Sequence, residues 1–251
     1  AKPAAKQAID DALKAKNDVI DANNDLTAEE KAKAKEDAKA KADAAKQAID
    51  NATTNDAVTQ AKNDGAASVA SVTPTAQAKP AAKQAIDDAL KAKNDAIDAN
   101  NDLTDEEKAK AKEDAKAKAD AAKTAIDNAT TNDAVTQAKN AGATSVSSVN
   151  PTAQAKPAAK KAIEDALKAK EAEIDARDDL TAEEKIAAKE EAKAKADAAK
   201  QAVDKATTNA DVENSKTTGV ADVNSLNSVA VKKPEAKKAI DEDRKSTRLN
   251  S

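Results

Sequence analysis

The segment from residue 21 to residue 29 carries the side chains with the clearest chemical spacing. Its oxygen-bearing residues fall at positions 1, 3, 5, 7 and 9 of a calcium-binding loop, and they are Asp21, Asn23, Asp25, Thr27 and Glu29. However, Leu26 stands where such a loop needs glycine, and Ala32 stands where it needs a bidentate glutamate. The pattern therefore favours a turn followed by a helix cap, and we predict no metal site.

Adjacent carboxylates offer the other chemical possibility, a general acid paired with a general base. Such a pair needs burial or a cleft that separates the two pKa values. The pairs found here, such as Glu29/Glu30 and Glu36/Asp37, stand on charged segments with lysines at helical spacing. The chain also lacks histidine, cysteine and tyrosine. We therefore predict that it is not an enzyme and that it has no catalytic residues.

The composition argues against several classes of partner. The 42 basic and 46 acidic residues interleave, and even the lysine-rich run 31–46 alternates in sign, which indicates a solvated face rather than a nucleic-acid site. With three glycines in the whole chain there is no glycine-rich phosphate loop, so we predict no cofactor. No apolar run approaches the roughly 20 residues that a membrane span needs.

The elements that must position these side chains belong to a repeat of 77 residues. The repeat is marked by Pro3, Pro80, Pro157 and Pro234, and the glycines keep the same step. Segments 1–77 and 78–154 differ at seven positions. We predict helical repeats at 1–77, 78–154 and 155–231, the start of a truncated fourth repeat at 232–243, and a non-native tail at 244–251.

The first half of the repeat predicts a helix, a break and a capped second helix. Apolar residues recur at three- and four-residue steps after Pro3, which predicts a helix over about 3–22. Asn23, Asn24 and Asp25 break it. Thr27 and Glu30 then form the Thr-x-x-Glu capping box, which recurs as Thr104/Glu107 and Thr181/Glu184.

The second half predicts two further helices with a core made mostly of alanine. Helix two runs over about 28–52 with an inward stripe of Ala38, Ala42, Ala45 and Ile49. Helix three runs over about 55–72, because its apolar spacing continues through Gly65, Gly142 and Gly219. The alternative is a helix that ends at these glycines with a loop after it.

The predicted fold is therefore all-α, with tandem three-helix bundles joined into an elongated rod. Pro74 and Pro80 frame a stiff connector without glycine between the first two repeats, and the third connector, which lacks the first proline, is predicted to be looser. Leu, Ile and Val total only 31 of 251 residues. This thin apolar content leaves a disordered spacer as an alternative.

Three stretches taken together resemble a known repeat, and they are AIDDALKAKNDVIDAN, DLTAEEKAKAKEDAKAKADAAKQAIDNATTN and VTQAKNDGAASVASVTP. The resemblance covers 1–241. It is to a domain of unknown function found in large cell-wall-anchored surface proteins of Gram-positive bacteria, among them giant matrix-binding adhesins and surface proteins linked to methicillin resistance and biofilm. It implies an extracellular, wall-linked location and an all-helical rod, and it implies no catalytic residues.

We interpret the chain as a stalk that projects a distal adhesin domain from the cell wall. The alternative is a repeat that itself binds host matrix, mucin or the repeats of a neighbouring cell, although the lack of aromatic residues argues against tight protein binding. The rod is expected to be monomeric.

Overall fold

The computed structural model describes the backbone of residues 1–249 and the side chains of residues 1–245. Ten helices lie in this part of the chain, and it contains no strand. They are α1 (Lys2–Ala22), α2 (Ala28–Asn51), α3 (Asn55–Ala70), α4 (Ala78–Asp98), α5 (Asp105–Asn128), α6 (Asn132–Ser147), α7 (Ala155–Asp175), α8 (Ala182–Lys205), α9 (Asn209–Asn224) and α10 (Lys232–Leu249). The predicted all-α class with three helices in each repeat is confirmed.

The helices belong to two compact units. The first unit comprises residues 1–95 and 113–149, and the second comprises residues 96–112 and the residues from 150 onward. The first unit thus contains the whole first repeat, while α4 and α5 contribute residues to both units. Within the first repeat α1, α2 and α3 pack pairwise, and α7, α8 and α9 do the same in the third.

Each core is a thin column of alanine with a few larger side chains. In the first repeat Ile9, Ile49 and Val69 are completely buried, and alanines of α1 and α2 pack around them. The predicted inward stripe of α2 is confirmed, since Ala38, Ala42, Ala45 and Ile49 are all buried. A smaller cluster of Ile20, Leu26 and Ala34 closes the end of the bundle at the first turn.

The third helix of each repeat runs through its glycine, so the alternative with a stop at Gly65 was wrong. Gly65 is helical, with no positive φ, and it is buried. A Cβ atom there would lie 2.4 Å from the Cβ of Ala45 and 3.0 Å from the Cδ1 of Ile9. The glycine is therefore needed for the close approach of α3 to α2 rather than for a turn.

Helix α3 ends two residues earlier than predicted, at Ala70. Pro74 explains why the chain cannot stay helical here, because the residue before a proline avoids the helical region. Residues 72–77 form an irregular connector, and α4 begins at Ala78. The fourth-repeat start at 232–243 lies in α10, and most of the predicted non-native tail at 244–251 lies outside the residues whose side chains are described.

Candidate functional site: the junctions between repeats

The most elaborate polar structure lies where one repeat follows another. We call it a junction, and it has three parts. The first is the turn before the second helix of one repeat, together with the first residues of that helix. The second is the start of the following repeat, and the third is the turn before the third helix of that following repeat. The first junction lies within the first unit and the second junction lies within the second unit. Each can therefore be described by itself.

The first junction begins with the predicted capping box. The Glu30 N–H donates to Thr27 Oγ1 at 3.3 Å, and the Thr27 N–H donates to Glu30 Oε2 at 2.9 Å. The same reciprocal pair joins Thr104 to Glu107 and Thr181 to Glu184, so all three predicted capping boxes are confirmed.

The capping residues of the first repeat also contact the turn between α5 and α6. The Thr27 hydroxyl donates to Asn132 Oδ1 at 2.8 Å, and the Asn132 N–H donates to Glu29 Oε2 at 3.0 Å. The Ala28 N–H donates to the Thr130 carbonyl at 2.7 Å. Thr27 is completely buried by these contacts. A helix N-terminus leaves several N–H groups without partners, and here the next repeat accepts one of them.

A buried lysine at the start of the following repeat connects the other two parts of the junction. Lys79 is 5% exposed, and its ammonium donates to the carbonyls of Asn24 and Asp127, each at 2.7 Å. Asn24 belongs to the turn of the first repeat, and Asp127 lies in the last turn of α5. A cation at the C-terminal end of a helix is favoured by the helix dipole, and both carbonyls gain a charged donor.

The second junction repeats these contacts with the equivalent residues. The Thr104 hydroxyl donates to Asn209 Oδ1 at 2.7 Å, and the Asp105 N–H donates to the Thr207 carbonyl at 2.7 Å. Lys156, also 5% exposed, donates to the carbonyls of Asn101 and Asp204 at 2.7 and 2.9 Å. The junction is thus a regular part of the repeat.

The glutamates at the centre of the junctions are held in their ionised form. Burial opposes ionisation of Glu30 and Glu107, but backbone N–H groups outweigh it and lower the pKa of both carboxyls. Where the third repeat meets the start of the fourth, the N–H groups of Thr181, Lys232 and Val231 lower the pKa of Glu184 to about 2. Each carboxylate therefore carries its full charge at neutral pH.

Other lysines cap helix ends within a repeat. Lys31 donates to the carbonyl of Asp21 at the end of α1, at 2.8 Å, and Lys16 donates to the carbonyl of Val72 beyond α3, at 3.0 Å. Sequence reasoning placed Lys31 on a solvated face and predicted neither of these caps. It did foresee pairs at a spacing of four residues, such as Lys39 with Asp43 at 2.6 Å.

The calcium-like segment is used for packing and capping. Asp21 pairs with Lys35 at 2.5 Å, the Asp25 N–H donates to Asn23 Oδ1 at 2.9 Å, and Glu29 accepts from Asn132. In the part of the chain that the structure describes, no group of three or more Asp or Glu side chains is placed to hold a metal ion. Within residues 1–249, no helix is long and apolar enough to cross a lipid bilayer.

Comparison with known families identifies the repeat. The model of a domain of unknown function, DUF1542, matches residues 1–77, 78–154 and 155–231. The chain belongs to the DUF1542 family. The resemblance to a repeat of Gram-positive surface proteins is thereby confirmed.

Curated relatives of these DUF1542 repeats are Staphylococcus aureus proteins named for binding extracellular matrix. Over 191 residues, 76% of this chain, it is 31% identical to the extracellular matrix-binding protein ebh of strain MRSA252 and 32% identical to EbhA of strain Newman. Those alignments span 2% and 6% of the two relatives. No solved structure matches the chain. The chain thus spans only a small part of the length of the curated relatives it matches.

Proposed function

We propose that this chain is a segment of a stalk in a cell-wall-anchored surface adhesin, where it holds a distal binding region away from the wall. The observation that carries the proposal is the recurrence of the junction: the same bonds, made by equivalent residues, connect the first repeat to the second and the second to the third. A unit whose most elaborate contacts are with its neighbours in sequence serves length, and adding copies adds reach.

The three helical cores also support a folded stalk over the disordered alternative. A disordered spacer would not bury isoleucines completely, as the chain does at Ile9, Ile86 and Ile163. The extracellular part of this setting is supported by the relatives, which are named as extracellular matrix-binding proteins, and the wall linkage is proposed from the resemblance.

Small-angle scattering on the full chain tests the predicted rod. Bundles of about 30 Å, from helices that rise 1.5 Å per residue, would give a maximum dimension on the order of 100 Å for three repeats in line. A matched variant with Lys79→Met and Lys156→Met should keep its helix content while its scattering becomes that of a more flexible chain. A compact, globular profile for the unchanged chain would overturn the proposal.

The stalk function itself can be tested on a bacterial surface. An epitope tag is displayed above zero, one, two or three of these repeats on a fixed wall anchor. The distance of the tag from the wall, measured by localisation microscopy, should rise in equal steps with repeat number. A distance that does not change with repeat number would contradict a stalk.

A second candidate function is direct binding of extracellular matrix, which the names of the relatives favour. A shallow groove of about 500 Å³ lies between α2 and α3 beside Gly65, and a matching groove of about 410 Å³ lies beside Gly142. Both are lined largely by alanine. Full-length chain should then be retained on immobilised matrix protein or mucin, and Ala48→Glu with Ala125→Glu in the two grooves should abolish retention. Retention that survives these changes would exclude the grooves.

A further inference from the structure

The first helix of a repeat has no N-cap of its own. Ala1 precedes α1 and Gln154 precedes α7, and neither side chain accepts a bond from its helix. By contrast, the second and third helices are capped by a threonine of their own repeat, as at Thr54 and Thr131. The first helix must therefore find partners for its free N–H groups elsewhere.

The preceding repeat supplies those partners through one carboxylate. Glu30 Oε2 accepts from Thr27 within its own capping box, while Glu30 Oε1 accepts from the N–H groups of Gln77 and Ala78 at 2.9 and 3.0 Å. Gln77 immediately precedes α4, and Ala78 is its first residue. One side chain thus caps the second helix of its own repeat and the first helix of the next.

The arrangement recurs wherever one repeat meets the start of another. Glu107 Oε1 accepts from Gln154 and Ala155 at 2.8 and 3.0 Å. Glu184 Oε1 accepts from Val231 and Lys232 at 2.9 and 3.0 Å, before and within the first turn of α10. The backbone groups are the same even where the side chains differ, so the site recognises a helix N-terminus rather than a particular side chain.

The junction lysine adds a second requirement. Lys79 reaches back to the Asn24 carbonyl, and Lys156 and Lys233 reach back to Asn101 and Asp178 in the same way. Lys2 donates to the carbonyl of Asp50, as Lys79 does to that of the equivalent Asp127. Each incoming helix thus presents free N–H groups and, within its first turn, a lysine that fits the turn before it.

We propose that the turn before the second helix of each repeat is a docking site for the first helix of the repeat that follows. Its partner is an uncapped helix N-terminus with a lysine immediately before the first-turn proline. The consequence is a specific coupling: the carboxylate caps the incoming helix only where both repeats are folded at the junction, so each repeat stabilises its neighbour through this contact. This inference concerns the coupling of repeats and does not depend on the stalk function.

A purely local role of Glu30 and a docking role predict different results when Glu30 is replaced. If Glu30 served only its own capping box, its loss would affect the first turn of α2 and leave α4 unchanged. If Glu30 also caps the next repeat, its loss must expose amides that lie 47 and 48 residues further along the chain.

Hydrogen exchange on the full chain with Glu30→Gln separates these roles. We expect protection in the segment 75–88 to fall about tenfold, because a bond to a charged acceptor is replaced by a weaker neutral one. The matching segment 152–165 should keep its protection. The two segments differ at Gln84/Lys161 and Asp87/Glu164, so their peptides can be told apart by mass.

Glu107→Gln provides the mirror experiment. Here 152–165 should lose protection while 75–88 keeps it. Glu36→Gln, on the exposed face of α2, should change neither segment. Thr54→Val removes the N-cap of α3, which lies within one repeat, and it is the control for a general loss of stability.

Two outcomes would overturn the proposal. One is that Glu30→Gln reduces protection in the first turn of α2 only. The other is that either glutamate variant reduces protection equally in 75–88 and 152–165, since that would show a general loss of stability rather than the loss of one cap.

Discussion

The interior of a bundle and the junction between two repeats are built from opposite materials. The interior is apolar and small, with alanines such as Ala38 and Ala42 fully buried beside a few isoleucines and valines. The junction is polar and carries charge, with Thr27 and Lys79 buried and hydrogen-bonded across it. Apolar contact is non-directional and supplies stability, whereas hydrogen bonds to fixed backbone groups supply orientation. The thin core thus supplies stability, and the junction supplies orientation.

The largest effect should come from the interior. Ile49 is completely buried, and Ile49→Ala should lower the free energy of unfolding by about 2–4 kcal/mol, because it removes apolar contacts and leaves a cavity that helices at this distance fill poorly. Urea denaturation followed by circular dichroism measures it. Val19→Ala, at a site 65% exposed, is the matched control and should change stability by less than about 0.5 kcal/mol. Similar losses for both would contradict the assignment of the core.

The junction should show a smaller but position-dependent effect. Lys79→Met keeps the length of the side chain but leaves the carbonyls of Asn24 and Asp127 without their donor, at a cost of about 1–3 kcal/mol. Lys2→Met removes one exposed bond and should cost less than about 1 kcal/mol. Denaturation of both variants of the full chain makes the comparison. Equal costs would show that the second acceptor, in the preceding repeat, contributes nothing.

The sequence predicted the interior of the bundles better than it predicted the junction. The capping boxes, the alanine stripe and the course of the third helix through Gly65 were predicted, because each depends on spacings of three or four residues. The junction was missed, because Lys79 contacts residues 55 and 48 positions away and was interpreted only as part of the connector before Pro80. A usable signal was present: the lysine before each repeat proline is retained in every copy, although positions such as 64 and 67 vary.

The close approach of two helices offers a finer test of the interior. Gly65→Ala gains about 1 kcal/mol of helix propensity but places a Cβ 2.4 Å from that of Ala45. Overpacking of this kind costs about 1–3 kcal/mol, so we expect a net loss of about 1 kcal/mol. Pairing it with Ala45→Gly should recover part of the loss by reopening the space, measured as the coupling in a double-mutant cycle. Additive effects of the two changes would show that the helices do not meet there.

Acid should affect the hydrogen bonds of the junction before it affects the interior. This effect is absent at neutral pH, which makes it the smallest of those we expect. The folded-state pKa values of Glu30, Glu107 and Glu184 all lie below the ordinary value of 4.5, and that of Glu184 is about 2. A group with a lowered pKa stabilises the folded state fully above its unfolded-state pKa, and that contribution is lost as the pH falls through the folded-state pKa. The bonds of Glu30 to Gln77 and Ala78 should therefore weaken as the pH falls below the ordinary glutamate pKa of 4.5, and those of Glu184 to Val231 and Lys232 should persist to about pH 2. The buried alanines do not titrate and should hold each bundle together. Nuclear magnetic resonance can follow this by comparing the amide shifts of residues 77 and 78 with those around Ile49. If both sets changed together, the junction and the interior would be a single cooperative structure rather than two separable ones.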